Sequence, residues 1–176
     1  MSENQLPPPG YGTLRQDAFT IALAQGPLQI KVTPLDESVI RLAAPDTYQR
    51  LHGLVASRSQ QIGELAARAG LRDEPAVFLV SFFTRDQQVT YEPTALQLLS
   101  RGILYRPADI LPLTPQWGRQ QLMQQETQTA LYVFDPSIDL DVTFEVEYAG
   151  QRSLAWASII RILQAERGRV VGRAKG

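Results

Sequence analysis

The chain has 176 residues, 44% apolar and 20% charged, with a formal net charge of −1 at pH 7. That length suits one domain with its own hydrophobic core, and the near-neutral balance gives the molecule as a whole no bias toward nucleic acid. The lack of cysteine excludes disulfides, thiolate metal sites and cysteine nucleophiles together.

Residues 1 to 13 form a leader containing Pro7-Pro8-Pro9-Gly10. Three consecutive prolines favour an extended segment without backbone donors. Met1 to Gln5 lacks the basic-then-apolar pattern of a signal peptide. The protein is then cytoplasmic if Met1 is its native start, or periplasmic if an export signal has been removed. No run approaches the ~20 apolar residues of a membrane span. Phe19, Ile21 and Leu23 fall on one side of an alternating stretch, Gln25-Gly26-Pro27 is a turn, and Leu28, Ile30 and Val32 alternate again. These signals predict a β-hairpin, followed by a short strand at Val39 to Leu42.

The pattern changes at Pro45. Proline suits a first helical turn, and Asp46 with Gln49 resembles a capping box. Tyr48, Leu51, Val55, Ile62, Leu65 and Ala69 recur at helical spacing, which predicts one helix over about 45–70 with that stripe against a sheet. Gly70 serves as its C-cap, with Arg68 complementing the dipole. A row of small residues, Ala56, Ser59, Gly63 and Ala66, runs beside the stripe, and a bend or break is expected near Gly53. His52 is the only histidine. It reads as a helix-surface or packing residue, because one imidazole supports neither a Ser-His-Asp triad nor a two-histidine metal site.

Ala76 to Thr84 is apolar on both faces, as a central strand covered on both sides would be. Arg85-Asp86-Gln87 turns the chain into Val89 to Glu92, which Pro93 ends. Leu96 to Leu99 and Ile103 to Tyr105 flank the turn Ser100-Arg101-Gly102. Pro107, Pro112 and Pro115 make 106–121 irregular, and this loop presents Trp117. Ala130 to Phe134 is a strand. Asp139 to Tyr148 alternates without a break, Leu140, Val142, Phe144, Val146 and Tyr148 against Asp139, Asp141, Thr143, Glu145 and Glu147, the period of a half-buried strand. Its expected partner is 154–163, in a register that sets Val146 opposite Leu154, Phe144 opposite a buried Trp156, and Asp139 opposite Arg161. Residues 165–176, with Arg167, Arg169, Arg173 and Lys175 spaced by glycines, read as a flexible basic tail.

Few residues invite chemistry. Asp135, Asp139 and Asp141 could share a hard cation such as calcium; a solvated strand face and an acidic docking face are the competing readings. No phosphate loop or dinucleotide fingerprint occurs, and no cofactor is implied. Fifteen of the seventeen basic residues are arginine, which suits fixed ion pairs and interfaces, as a coding bias would also produce. Pro7, Pro8, Pro9, Trp117, Arg167, Arg169 and Arg173 are the candidate partner contacts.

Leu98, Gly102, Tyr105 and Pro107, then Val133, Phe134 and Asp135, then Leu140 to Tyr148, follow an order that resembles bacterial immunoglobulin-like β-sandwich modules. The likeness covers about 90 residues. It implies a mainly β, antiparallel sandwich with one inserted α-helix at about 45–70, a domain over 14–164 between leader and tail, and a role in binding or assembly. The expectation is a non-enzymatic, membrane-peripheral subunit of a larger bacterial complex, partnered by other protein subunits, with membrane-surface contact and without nucleic acid. The alternative is a small ligand-binding protein or enzyme using the 106–121 loop as a pocket wall.

Overall fold

The computed structural model describes residues 6–85 and 87–176; Met1–Gln5 and the central Asp86 of the expected turn lie outside the described residues. The chain is mainly β, with antiparallel sheets and a few helices. The expected first hairpin forms from β1 (Ile21–Gln25) and β2 (Leu28–Pro34). Gly26 at φ 55° supplies the left-handed residue its tight turn requires. Strand β3 (Ala76–Thr84) pairs with β2 on one side and β9 (Thr127–Phe134) on the other. An edge strand, β7 (Asp109–Pro112), completes the order β1-β2-β3-β9-β7. This strand corrects the reading of 106–121 as wholly irregular: Pro112 is tolerated because it closes an edge strand that has only one ladder neighbour.

A second sheet runs β11 (Gln151–Ser153), β10 (Glu145–Tyr148), β5 (Gln97–Ser100), β6 (Ile103–Tyr105). A small pair joins β4 (Val89–Thr90) to β8 (Gln121–Leu122). The two larger sheets face each other across aromatic rings. Phe82 meets Tyr148 at 5.9 Å and Phe78 meets Phe144 at 6.3 Å between centroids. Phe78, Val80 and Phe82 of β3 and Ala130, Tyr132 and Phe134 of β9 are fully buried on this face. Two phenols keep hydrogen bonds inside it: Tyr132 donates to the Pro93 carbonyl at 2.7 Å and Tyr91 to the Trp117 carbonyl at 3.3 Å. Burial pushes the Tyr91 phenol up to about 12.

The expected single helix is two: α2 (Pro45–Ala56) and α3 (Ser59–Arg68). The break falls at Ser57-Arg58, a turn beyond Gly53. There the apolar stripe reaches Arg58, whose guanidinium donates to the Leu54 carbonyl at 3.3 Å. Helix α3 packs on β7 and β9 with Ile62, Leu65 and Ala66 inward, while Tyr48 and Val55 are only half-buried. Val39 to Leu42 is not a strand. Asp36 accepts from Ser38 N at 2.9 Å and caps a single helical turn, α1 (Glu37–Ile40), that buries Val39 and Ile40.

The C-terminal third departs furthest from expectation. Burial alternates along Leu140–Tyr148, but only Glu145–Tyr148 joins a ladder. Its turn has two residues, Ala149 and Gly150, both at positive φ (47° and 84°), the geometry of a type I′ hairpin. Val146 therefore opposes Ser153, not Leu154. The partner strand ends there, and 156–175 is a helix, α4 (Trp156–Lys175). Trp156 is buried as expected and its ring lies 5.0 Å from Phe144, but it reaches that ring from a helix start. Arg161 does not face Asp139, which pairs with Arg101 at 3.0 Å. Residues 165–175, read as a flexible tail, are the last turns of this helix.

Candidate docking surface

Helix α4 is placed by a ridge at spacings of three and four. Trp156, Ile159, Leu163, Glu166 and Val170 are its buried residues, and they form one helical face. Four are apolar; the fifth is a carboxylate with no exposed side-chain surface. A buried charge requires partners, and Glu166 accepts four hydrogen bonds from three residues. Thr13 donates to it from both backbone N (2.9 Å) and hydroxyl (2.5 Å), Arg169 from Nε (3.1 Å) and Arg173 from Nη2 (3.3 Å). Burial pushes the Glu166 carboxyl up, and these hydrogen bonds together outweigh it, so the group sits below its ordinary value.

Glu166 thereby ties the leader to the helix. Arg173 also donates to the Tyr11 carbonyl at 2.7 Å, and Arg41 to the Pro7 carbonyl at 3.4 Å. Leu14 joins the backbone of Leu42 and Ala44 through two hydrogen bonds, at 3.2 and 2.9 Å. Gly12 lies so close to that segment that an added Cβ would stand 2.2 Å from the Leu42 carbonyl oxygen. Residues 7–14 are therefore part of the fold. Pro7 is buried, Pro8 half-buried and Pro9 exposed, so the triple proline presents only its last member freely.

The outer side of α4 has a different chemistry. Residues 156–176 contain five basic side chains and one acid, and the other 155 residues contain twelve basic and seventeen acidic ones. The helix segment thus carries +4 and the remainder −5. Its one acidic side chain is the buried Glu166, so the exposed face has no side-chain carboxylate. Among the described residues, Arg161 and Lys175 form no ion pair, whereas Arg169 and Arg173 pair inward and keep 58% and 37% of their side chains exposed. Arg167 lies lower. It donates to the Ser38 carbonyl at 3.3 Å, its Nε is buried without a partner, and it lines a narrow cleft with Asp141, Leu140 and Ile160. Leu154 (63%), Ile162 (41%) and Val171 (40%) stand exposed among these cations.

The other residues singled out in the sequence lie elsewhere. Trp117 is 7% exposed and packs on Phe82, Tyr91 and Tyr132 at 5.7, 5.5 and 6.2 Å. It is a core residue and walls no open loop. Asp135 and Asp139 accept from the backbone N of Ser137 and Asp141, both at 2.8 Å, and so organise their own turns. Among the described residues no three metal-ligating side chains converge, so the suggested calcium site at Asp135, Asp139 and Asp141 is not assembled. His52 joins a cluster on Glu37: His52 Nδ1 at 3.2 Å, the Tyr48 hydroxyl at 2.8 Å and Arg41 Nε at 3.1 Å. Burial raises the Glu37 carboxyl and these bonds lower it further, with a net depression. The cluster fastens α1 to α2, which agrees with a surface role for the imidazole. Glu166 was missed in the sequence, although its place in the 156, 159, 163, 166, 170 series marks it as an inward carboxylate.

No family model, no curated protein and no solved structure matches this chain.

Proposed function

We propose that this chain is a non-enzymatic binding module that docks through the exposed face of α4, as an extrinsic subunit of a larger, membrane-associated bacterial assembly. The observation that carries the reading is the segregation of charge. A rigid 20-residue helix concentrates +4 on a molecule otherwise at −5. Such a dipolar distribution orients a protein toward an anionic surface before contact. The finer architectural reading belongs with it. Two antiparallel sheets facing across rings support an immunoglobulin-like sandwich, and the helices α2, α3 and α4 are additions to that plan.

The test uses the full chain, tagged, incubated with native membranes and purified through mild detergent. A stoichiometric assembly that dissociates on raising salt is the expected result. Recovery of free monomer alone at low salt would count against docking. Charge reversal at Arg161 and Lys175 together should shift the chain toward the free form without altering its melting temperature, since neither makes an ion pair among the described residues.

A further inference from the structure

The anionic surface has a chemistry that the exposed side chains of α4 specify. We infer that the exposed face of α4 binds the headgroup layer of an anionic phospholipid bilayer, with Arg161 and Lys175 on phosphates along its outer line, Arg169 and Arg173 at its edge and the exposed Leu154 between headgroups. This rests on the docking reading above and names the surface that is met.

Three observations favour lipid over an acidic protein. First, the cations are spread along the helix. Arg161 and Lys175 are separated by roughly 20 Å of helix axis, with Arg169 and Arg173 between them. That suits a laterally uniform charge better than one acidic spot. Second, the exposed apolar side chains are scattered. Ile162 and Val171 lie about two and a half turns apart and so on opposite flanks of the helix, while Leu154 precedes it. A protein interface gathers its apolar residues into a dry centre with a polar rim; this face has no such centre, and attraction of its cations to anionic headgroups needs none. Third, the neighbouring positions Ala157, Ala165, Gly168 and Gly172 are exposed and small. They leave the long stems of Arg161 and Lys175 as the highest points of the outer line, free to reach phosphates while their methylenes cover apolar surface. Arginine, the prevailing cation here, matches phosphate with a two-pronged fork of donors. The excess of acid elsewhere keeps the rest of the molecule turned away from the same bilayer.

Each cation near an anionic membrane contributes about fivefold to partitioning. The experiment sediments the full chain with vesicles of phosphatidylcholine alone and with equimolar phosphatidylcholine and phosphatidylglycerol, across a salt series. Binding is expected only to the anionic vesicles and should fall steeply above ~0.15 M salt, where the screening length is ~8 Å. The double variant Arg161→Glu, Lys175→Glu should lose at least about tenfold in partitioning and keep its circular dichroism and melting temperature. Leu154→Ser should lose several-fold, and Arg68→Glu on α3 should stay near the parent.

Equal binding to both vesicle types, no binding to the anionic ones at low salt, or full binding by the double variant would each overturn the inference. The two readings separate in one comparison. Binding to native membranes that disappears after protease digestion, with none to protein-free vesicles, removes the lipid assignment and leaves docking standing. Absence of binding to both removes the two together.

Discussion

The space between the two large sheets and the seam between α4 and residues 7–14 each hold buried side chains, yet they are held by opposite means. The first is lined by rings and aliphatic chains: Phe78, Phe82, Tyr132, Phe134 and Phe144, all within 1% of full burial. The second turns on one carboxylate, Glu166, bracketed by Thr13, Arg169 and Arg173. Apolar burial is non-directional and is not weakened by ionic screening. A buried carboxylate requires each partner in place and answers to pH. This chain uses bulk to fix its sheets and geometry to fix its helix, so the two regions should fail under different conditions.

The largest effect is expected in the ring core. Phe82→Ala removes a fully buried side chain that stacks on Tyr91 at 4.7 Å and meets Trp117 and Tyr148 edge-on. A loss of about 3–5 kcal/mol in urea unfolding is expected, unchanged by salt and constant between pH 5 and 8. A loss that varied strongly with salt would erase the distinction between the two regions.

Glu166→Ala should lose about 2 kcal/mol near neutral pH, because Thr13 N and its hydroxyl forfeit a charged acceptor while both arginines can turn to water. The sign of the pH dependence follows from the depressed carboxyl. Its stabilisation is complete above the unfolded value of about 4.3 and is lost as pH falls through the lower folded value. The parent's melting temperature should therefore decline more steeply with acid than that of the variant. Parallel acid limbs would show that Glu166 does not govern the seam.

Gly12→Ala tests the same seam from the leader side. The new methyl would overlap the Leu42 carbonyl, so residues 7–14 must lift away, at about 1–2 kcal/mol. Proteolysis should then cut within the leader while the sheet core stays resistant. Cleavage spread evenly over the chain would join the two regions into one unit.

The smallest effect belongs to alkaline pH and to the core. Tyr91, pushed up to about 12 by burial, ionises at about 10 when unfolded. A raised folded value gives stability that is whole below pH ~10 and fades as pH climbs toward 12. Tyr91→Phe should lose about 1 kcal/mol with the Trp117 carbonyl bond and should flatten that alkaline limb in thermal melts. An alkaline limb unchanged by the substitution would assign it to another group.

Much of the large sheet could be read in advance. Strands β2 and β3 sit where alternation and dense apolar content placed them, β3 residue for residue, and in the second sheet β6 matches in the same way. The surface that matters here could not be read so easily. Leu154 to Leu163 is apolar enough to pass for a strand beside Glu145–Tyr148. Gly168 and Gly172, each worth ~1 kcal/mol against a helix, suggested a tether beyond it. The spacing of Trp156, Ile159, Leu163, Glu166 and Val170 was the available signal. It was hidden because its fourth member is charged, and a carboxylate is inward only if a partner awaits it.

Sequence alone determined strands such as β2 and β3, whose side chains repeat with a single period, although the same alternation over 139–144 joins no ladder. Alternation at two residues and apolar stripes at three to four are local properties, set by backbone geometry before any long-range contact forms. Turn chemistry was legible for the same reason at Gly26, where glycine permits a left-handed residue. Tertiary structure decided the rest. Thr13 and Glu166 are 153 positions apart in the chain, and only their meeting makes a buried carboxylate stable and fastens residues 7–14 to the helix. Trp156 likewise takes its place from Phe144 and from the Leu140 carbonyl, which accepts its indole N–H at 3.0 Å. The cationic face exists because the helix is docked by its other side. Packing chose which arginines turn inward to Glu166 and which remain in water, and charges alike in sequence acquire different roles only once the chain has closed around them.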